Sequence, residues 1–148
     1  FKGVSQALLV AFSTSSSVAT IPVTSRCLIE KLSYKEDKVN FIIPIGATIN
    51  MDGTALFECV VVIFIAQLYG IDLSFIEQLL ILLLALITSI GVAGIPSASF
   101  VAIIVILGAV GLPFEAVGII IGIDRLLDML RTSVNVYGDT CCVSIVAK

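Results

Sequence analysis

The sequence predicts an all-α membrane protein in which two re-entrant helical hairpins and two transmembrane helices form an inverted repeat. Three observations predict it. Hydrophobic residues make up 59% of the chain and charged residues 13%, against about 45–50% and 25% in soluble domains. Two of its apolar units are interrupted midway by small polar residues and proline. The last apolar stretch carries Asp124, Asp128, Arg131, Asn135 and Asp139, which at about 100° per residue fall within an arc of roughly 80°.

The first unit, residues 1–30, is broken by Ser13 to Ser17 and then by Pro22. It reads as two half-length helices with a serine-rich tip. The second unit, residues 39–69, contains Asn50-Met51-Asp52-Gly53-Thr54. These are poor residues for a helix interior, so the helix is expected to unwind there and free its carbonyls. Freed carbonyls beside carboxylates are hard oxygen ligands, suited to a hard cation. A kink that binds nothing is the simpler alternative.

The third unit, residues 75–112, coincides for most of its length with an uncharged run between Glu77 and Glu115. That run is far longer than the ~20 residues of a single span. It is interrupted by Gly91, Gly94, Pro96, Ser97 and Ser99. Irregular backbone at membrane depth is tolerated only where protein or a water-filled cavity satisfies its amides. Two kinked spanning helices are the alternative to two hairpins. The cations favour hairpins. Arg26, Lys31, Lys35, Lys38 and both chain ends then lie on one side, the cytoplasmic one, while the loops near Asp72 and Gly111 carry no Lys or Arg.

The fourth unit, residues 115–147, is the polar-faced helix. A charge at the bilayer centre costs roughly 2.5–3.5 kcal/mol on insertion scales, so this row is expected to line a site for charged ligands. The intramembrane acids Asp52, Glu58, Asp124, Asp128 and Asp139 outnumber the bases Arg125 and Arg131. Cations or protons should supply the difference, because unpaired buried charge is costly. Four cysteines match no zinc spacing, and there is no histidine. They read as packing residues. The chain begins at Phe1 without an initiator Met and reads as a piece of a longer protein.

Four motifs, in order, carry a resemblance. They are the Ser15-Ser16-Ser17 tip, Asn50-Met51-Asp52-Gly53-Thr54, Ser89-Ile90-Gly91-Val92-Ala93-Gly94-Ile95-Pro96, and the set Asp124, Asp128, Arg131, Thr132, Asn135 and Asp139. Over nearly its whole length the chain resembles the glutamate and aspartate transporters, the dicarboxylate/amino acid:cation symporter family. The resemblance implies a transport-domain core without its scaffold, in a homotrimer that the missing scaffold would hold together.

It implies that Asp128 binds the substrate amino group and Arg131 the side-chain carboxylate, for which a planar guanidinium fork is suited. Thr54, Thr132 and Asn135 would line the pocket. Ser15, Ser17, Ile95 and Ser99 would close over the α-carboxylate. One sodium would use Gly46, Asn50, Asn135 and Asp139. A second would use Thr48, Ser89, Ile90 and Val92, and a third Asn50 and Asp52. Glu58 is the proton-coupling candidate.

Three departures stand out. Val18 ends the serine run, Ser99 stands where relatives carry glycine, and Arg125 occupies an unusual position. Arg125 precedes Asp128 by one helical turn and is expected to balance it when the pocket is empty; the alternative is that it snorkels to the membrane surface or pairs with an acid of the scaffold.

The expected activity is uptake of acidic amino acids by alternating access, driven by sodium, with a proton as the second candidate coupling ion. It is not an enzyme and has no cofactor beyond co-transported sodium. Its partners are the bilayer, the substrate and its ions, with no nucleic acid. The expected location is a cell membrane, a bacterial inner membrane by preference. Alternatives are a neutral amino acid or dicarboxylate symporter of the same family, or a substrate-gated channel. Channels use symmetric rings, which an asymmetric Asp–Arg pair does not supply. An intramembrane aspartyl protease needs two acids sharing a proton, and its Gly-x-Gly-Asp signature is absent.

Overall fold

Hydroxyl side chains decide where the first unit turns. In α1 (Ser5–Thr14) both Ser13 and Thr14 donate to the Val10 carbonyl, at 3.0 and 2.8 Å. Such bonds compete with the helical ladder. Ser15 follows in a left-handed conformation (φ 52°, ψ 36°) and closes the helix through its amide to Ala11. Ser16 is extended, and its hydroxyl accepts from the Ala19 amide at 3.2 Å. That is a helix N-cap, and α2 (Ser17–Arg26) starts from it. The two helices, of 10 residues each, pack on one another. Each is roughly 15 Å long at 1.5 Å per residue, half the thickness of a bilayer core. A π-helical turn, Cys27–Lys31, extends α2.

The structure is a computed structural model that describes residues 1–91 and 99–147. The described residues form helices and connecting turns, with no strand among them. Helix α3 (Glu36–Ile49) starts three residues earlier than the sequence pattern indicated, with Glu36 and Asp37 in its first turn. Acids there favour the positive end of the helix dipole. The expected unwinding falls at Asn50 and Met51, whose backbones are non-helical (ψ 81° and 49°). The Met51 amide turns to the Ile49 carbonyl, so the Ala47 carbonyl loses its helical donor. Helix α4 (Asp52–Leu68) resumes beyond the break.

A capping box opens α5 (Phe75–Gly91). The Ser74 amide and hydroxyl donate to Glu77, and the Glu77 amide donates back to the Ser74 hydroxyl. Helix α6 (Ser99–Ala109) packs on α5. After a short turn at Phe114–Ala116, α7 runs from Val117 to Val146.

Among the described residues, one helical run is long and apolar enough to cross a membrane, Glu36–Leu68. Helix α7 has 30 residues, but its polar row lowers its hydropathy.

Two apolar cores form. Val4, Ala7, Ala11, Leu28, Val39 and Ile43 close on the C-terminal part of α7 at Val136 and Val143. Val62, Ile65, Ile81, Ala85, Ile103 and Ile106 close on its N-terminal part at Val117 and Ile120. Lipid tails are as apolar as leucine, so close packing of small residues holds such helices together. Ala7 and Ala11, one turn apart on α1, are fully buried where that helix meets α7. The polar row of α7 begins beyond the core at Ile120 and runs into the other core beside Val136.

Candidate functional site

Every member of the polar row is buried. Asp124, Asp128, Arg131, Thr132, Asn135 and Asp139 are each 6% exposed or less. Their helical spacing places them on one side of α7, and α1, α3 and α4 cover that side. Buried charges must be paired, and the pairs are visible. The Arg131 Nε donates to Asp128 Oδ1 at 2.8 Å, and its Nη2 lies 2.7 Å from the same oxygen. The Arg131 Nη1 donates to Asp124 Oδ1 at 3.3 Å. The guanidinium carbon sits 4.3 Å from the centroid of the Phe57 ring, which adds a cation–π contact. Arg131 is therefore clamped from three directions. A guanidinium has five N–H donors, so this clamp leaves donors for a further carboxylate.

One turn along, Asn135 ties α7 to the break in the second unit. Its Oδ1 accepts from the Gly53 and Thr54 amides at 2.8 and 3.3 Å, and its Nδ2 donates to Thr54 Oγ1 at 3.0 Å. It also lies 3.3 Å from the Met51 sulfur. The free amides at the start of α4 thus find their acceptor on another helix. A further turn on, Asn50 Nδ2 donates to Asp139 Oδ1 at 3.0 Å.

Three glycines make this approach possible. A methyl group on Gly46 would collide with the Asp139 carboxylate, and one on Gly53 would sit 2.5 Å from the Arg131 carbonyl. One on Gly138 would sit 2.5 Å from Asp52 Oδ2 and 2.9 Å from Asn50 Nδ2. Gly46, Asn50, Asn135 and Asp139, named for one sodium, are therefore brought within one neighbourhood. Asp52 lies beside them through Gly138.

Asn50, Asp52, Ser89 and Ile90 line a cavity of about 250 Å³ between the break and α5. Thr48 is not among its lining residues, and its hydroxyl turns back to the Ile45 carbonyl. Val92 and Ile95 lie outside the described residues.

The hairpin serines form a separate pattern. Ser15, Ser17 and Ser99 are at most 2% exposed, and their hydroxyl oxygens have no hydrogen-bond partner. A buried unsatisfied polar atom is rare and costs roughly 1–3 kcal/mol. Ser15 and Ser17 stand where α1 meets α2, Ser99 opens α6, and all three helices pack against α7. Glu58 is fully buried on α4; its Oε2 accepts from Thr88 Oγ1 at 2.7 Å, while its Oε1 has no partner.

The expected partnership of Arg125 with Asp128 does not form. Arg125 is exposed on the outer side of α7, while Arg131 holds Asp128. The reason is packing: Arg125 and Arg131 stand about equally far, roughly 60°, to either side of Asp128 around the helix, and the helices packed on α7 cover the side that carries Arg131. Cys142 is also exposed and does not pack, although Cys27 is buried as expected; all four cysteines are free.

Sequence reasoning missed Asp124 as a guanidinium partner, the ring of Phe57, and Thr88. Helical spacing alone held the first of these, since Asp124 and Arg131 are two turns apart. Phe57 and Thr88 lie on other elements, where spacing within α7 carries no signal.

The model of the sodium:dicarboxylate symporter family matches residues 1–148. The chain belongs to this family.

Relatives agree. The chain is 52% identical over 146 residues to excitatory amino acid transporter 3 of Mus musculus, covering 99% of this chain and 28% of that protein. It is 48% identical over 145 residues to an excitatory amino acid transporter of Caenorhabditis elegans, covering 98% of the chain and 29% of the relative. To excitatory amino acid transporter 2 of Homo sapiens it is 49% identical over 146 residues, 99% of the chain and 25% of the relative. The chain thus spans between a quarter and a third of the length of these relatives. Members of the sodium:dicarboxylate symporter family are transporters and not enzymes, and sodium is their co-transported ion rather than a cofactor. The protease alternative falls with that membership.

Proposed function

We propose that the full-length protein is a secondary active transporter that takes up glutamate and aspartate together with sodium by alternating access. The observation that carries the proposal is the buried Arg131 clamped by Asp124 and Asp128. A fixed guanidinium recognises a carboxylate, and an adjacent carboxylate recognises an ammonium group. An acidic amino acid offers both. In this reading Thr54, Thr132 and Asn135 line the pocket. The unpartnered hydroxyls of Ser15, Ser17 and Ser99 await the substrate α-carboxylate, with Ile95 at the second tip.

Sodium occupies the neighbourhood of Gly46, Asn50, Asn135 and Asp139. Further ions use Asp52 with Asn50, and Thr48 with Ser89, Ile90 and Val92. Replacing Asp139 with Asn should raise the sodium concentration for half-maximal substrate binding on the order of tenfold, about 1.4 kcal/mol. A sodium titration of substrate binding that superimposes on the wild type removes Asp139 from the ion site.

The two hairpins are re-entrant in this proposal, and hairpin plus helix repeats with inverted orientation. The short lengths of α1, α2 and α6 support this, as does the way each pair closes on its own end of α7. The protein sits in a cell membrane, with the lysine-bearing side toward the cytoplasm. Large apolar side chains exposed along α5, such as Ile76, Leu79, Leu83 and Ile87, suit lipid or a scaffold domain. A homotrimer held by that scaffold follows from the family resemblance. The three relatives compared are animal proteins, so a bacterial inner membrane draws no support from them.

Glu58 is the proton-carrying group, because its carboxyl is fully buried and hydrogen bonding satisfies only one of its oxygens. The direct test of the whole reading is uptake of labelled aspartate and glutamate into liposomes holding the full-length protein, with and without a sodium gradient. Uptake that ignores sodium, or a current without uptake, overturns it.

A further inference from the structure

The hydrogen bond between α4 and α5 at Glu58 holds more than position. Thr88 Oγ1 lies 2.7 Å from Glu58 Oε2, 2.8 Å from the Leu84 carbonyl and 3.4 Å from the Ala85 carbonyl. A hydroxyl has one proton to donate and two lone pairs to accept with. It therefore cannot donate to Glu58 and to the carbonyl of Leu84 at once. The two acceptors are equally near, and the choice between them depends on what Glu58 offers.

We propose that Thr88 is the positioning residue for Glu58, its hydroxyl switching between Glu58 and the Leu84 carbonyl as the carboxyl gains or loses a proton. This rests on the reading of Glu58 as the proton carrier. With Glu58 ionised, the Thr88 hydroxyl donates to Oε2. With Glu58 protonated, the carboxyl O–H donates to Thr88 Oγ1, and the Thr88 proton turns to Leu84. Each proton has an acceptor in both states, and α5 stays tied to α4 throughout. No backbone movement is required, because the swing is a rotation of one hydroxyl.

The other charges around Glu58 do not replace this partner. On α7, Arg131 is the charged group that acts on Glu58, and its guanidinium is held in place by Asp124 and Asp128. Helix α6 carries no titratable side chain, and the one acid of α5, Glu77, lies at its far end in the capping box. On α4 itself, Cys59 is the titratable neighbour and Asp52 lies at the break.

The sign of the effect follows from the two bonds. A hydrogen bond to an ionised carboxylate is roughly twice as strong as one between neutral groups. Thr88 therefore favours the ionised form more than the neutral one, and removing its hydroxyl makes Glu58 hold its proton more tightly. The proton-loaded transporter then persists to higher pH.

The test is the pH profile of sodium-driven glutamate uptake in the full-length protein, at matched membrane expression. Thr88→Val keeps the shape and removes the hydroxyl. It should move the alkaline limb of the profile upward by roughly half to one pH unit. Thr88→Ser should restore the wild-type profile, and the valine effect should vanish in a Glu58→Gln background. If the valine variant fails to reach the membrane, Thr88→Ala carries the same expectation. A wild-type profile in the variant lacking the hydroxyl overturns the inference while leaving Glu58 as the carrier. So does a shift that persists without the Glu58 carboxyl. A Glu58→Gln protein that keeps the wild-type pH dependence overturns the proton reading itself, and this inference with it.

Discussion

Arg131→Thr is expected to reduce sodium-driven uptake of glutamate and aspartate by a hundredfold or more. Two losses combine. In the proposed reading, the substrate carboxylate loses a partner that Asp124, Asp128 and the Phe57 ring already orient. The two acids lose the cation that compensates them inside the fold. Breaking a buried pair by removing one member costs roughly 3–5 kcal/mol, and about 1.4 kcal/mol is a factor of ten. The measurement is uptake of labelled substrates at matched membrane expression, with alanine and serine as neutral controls. Acidic substrates should fail while small neutral ones remain able to bind. Unchanged uptake of glutamate and aspartate would take Arg131 out of the pocket.

The second large effect is expected at Gly53, which carries no side chain to bind anything. Its Cα faces the backbone of α7, and an added methyl group would stand 2.5 Å from the Arg131 carbonyl, 3.0 Å from Val134 Cβ and 3.1 Å from Asn135 Oδ1. A carbonyl oxygen on a helix cannot swing aside as a side-chain tip can. Gly53→Ala must therefore push α4 away from α7. Overpacking of this kind costs typically 1–3 kcal/mol. It also lengthens the bonds from Asn135 to the Gly53 and Thr54 amides, which hold the unwound segment against the site. A lowered melting temperature of the purified full-length protein, together with weakened sodium-dependent binding, is the expected result. A variant that melts and binds like the wild type shows that α4 has freedom to shift, and removes the packing argument.

Much of the site was legible before the chain was folded. The row from Asp124 to Asp139 repeats with the helical period, and that period is a property of the backbone alone. A polar row on an apolar helix must be buried against partners or lost, so its burial followed too. The break at Asn50 and Met51 was legible for the same local reason: residues poor in helix propensity are adjacent in sequence, and the backbone yields where they are. Ser16 capping α2 is another local event, a side chain meeting an amide three residues ahead.

Arg125 shows where this reasoning stops. It is one turn from Asp128, as close in sequence as Arg131, yet it is exposed and Arg131 is the partner. Spacing admits both arginines as neighbours of Asp128; the packing of α4 and α1 against one side of α7 admits only one into the interior.

Composition and period alone thus fix a helical membrane chain, the interrupted units, and the polar face of α7. Both are local: they depend on residues within a few turns of one another. The contacts that give the face its chemistry are not local. Phe57 over Arg131, Asn50 on Asp139, Gly53 against the α7 backbone and Thr88 on Glu58 join residues 30 or more positions apart in the two hydrogen bonds among them. Which atoms meet across such distances depends on how small residues let the helices approach. That is settled only when both cores have closed around α7.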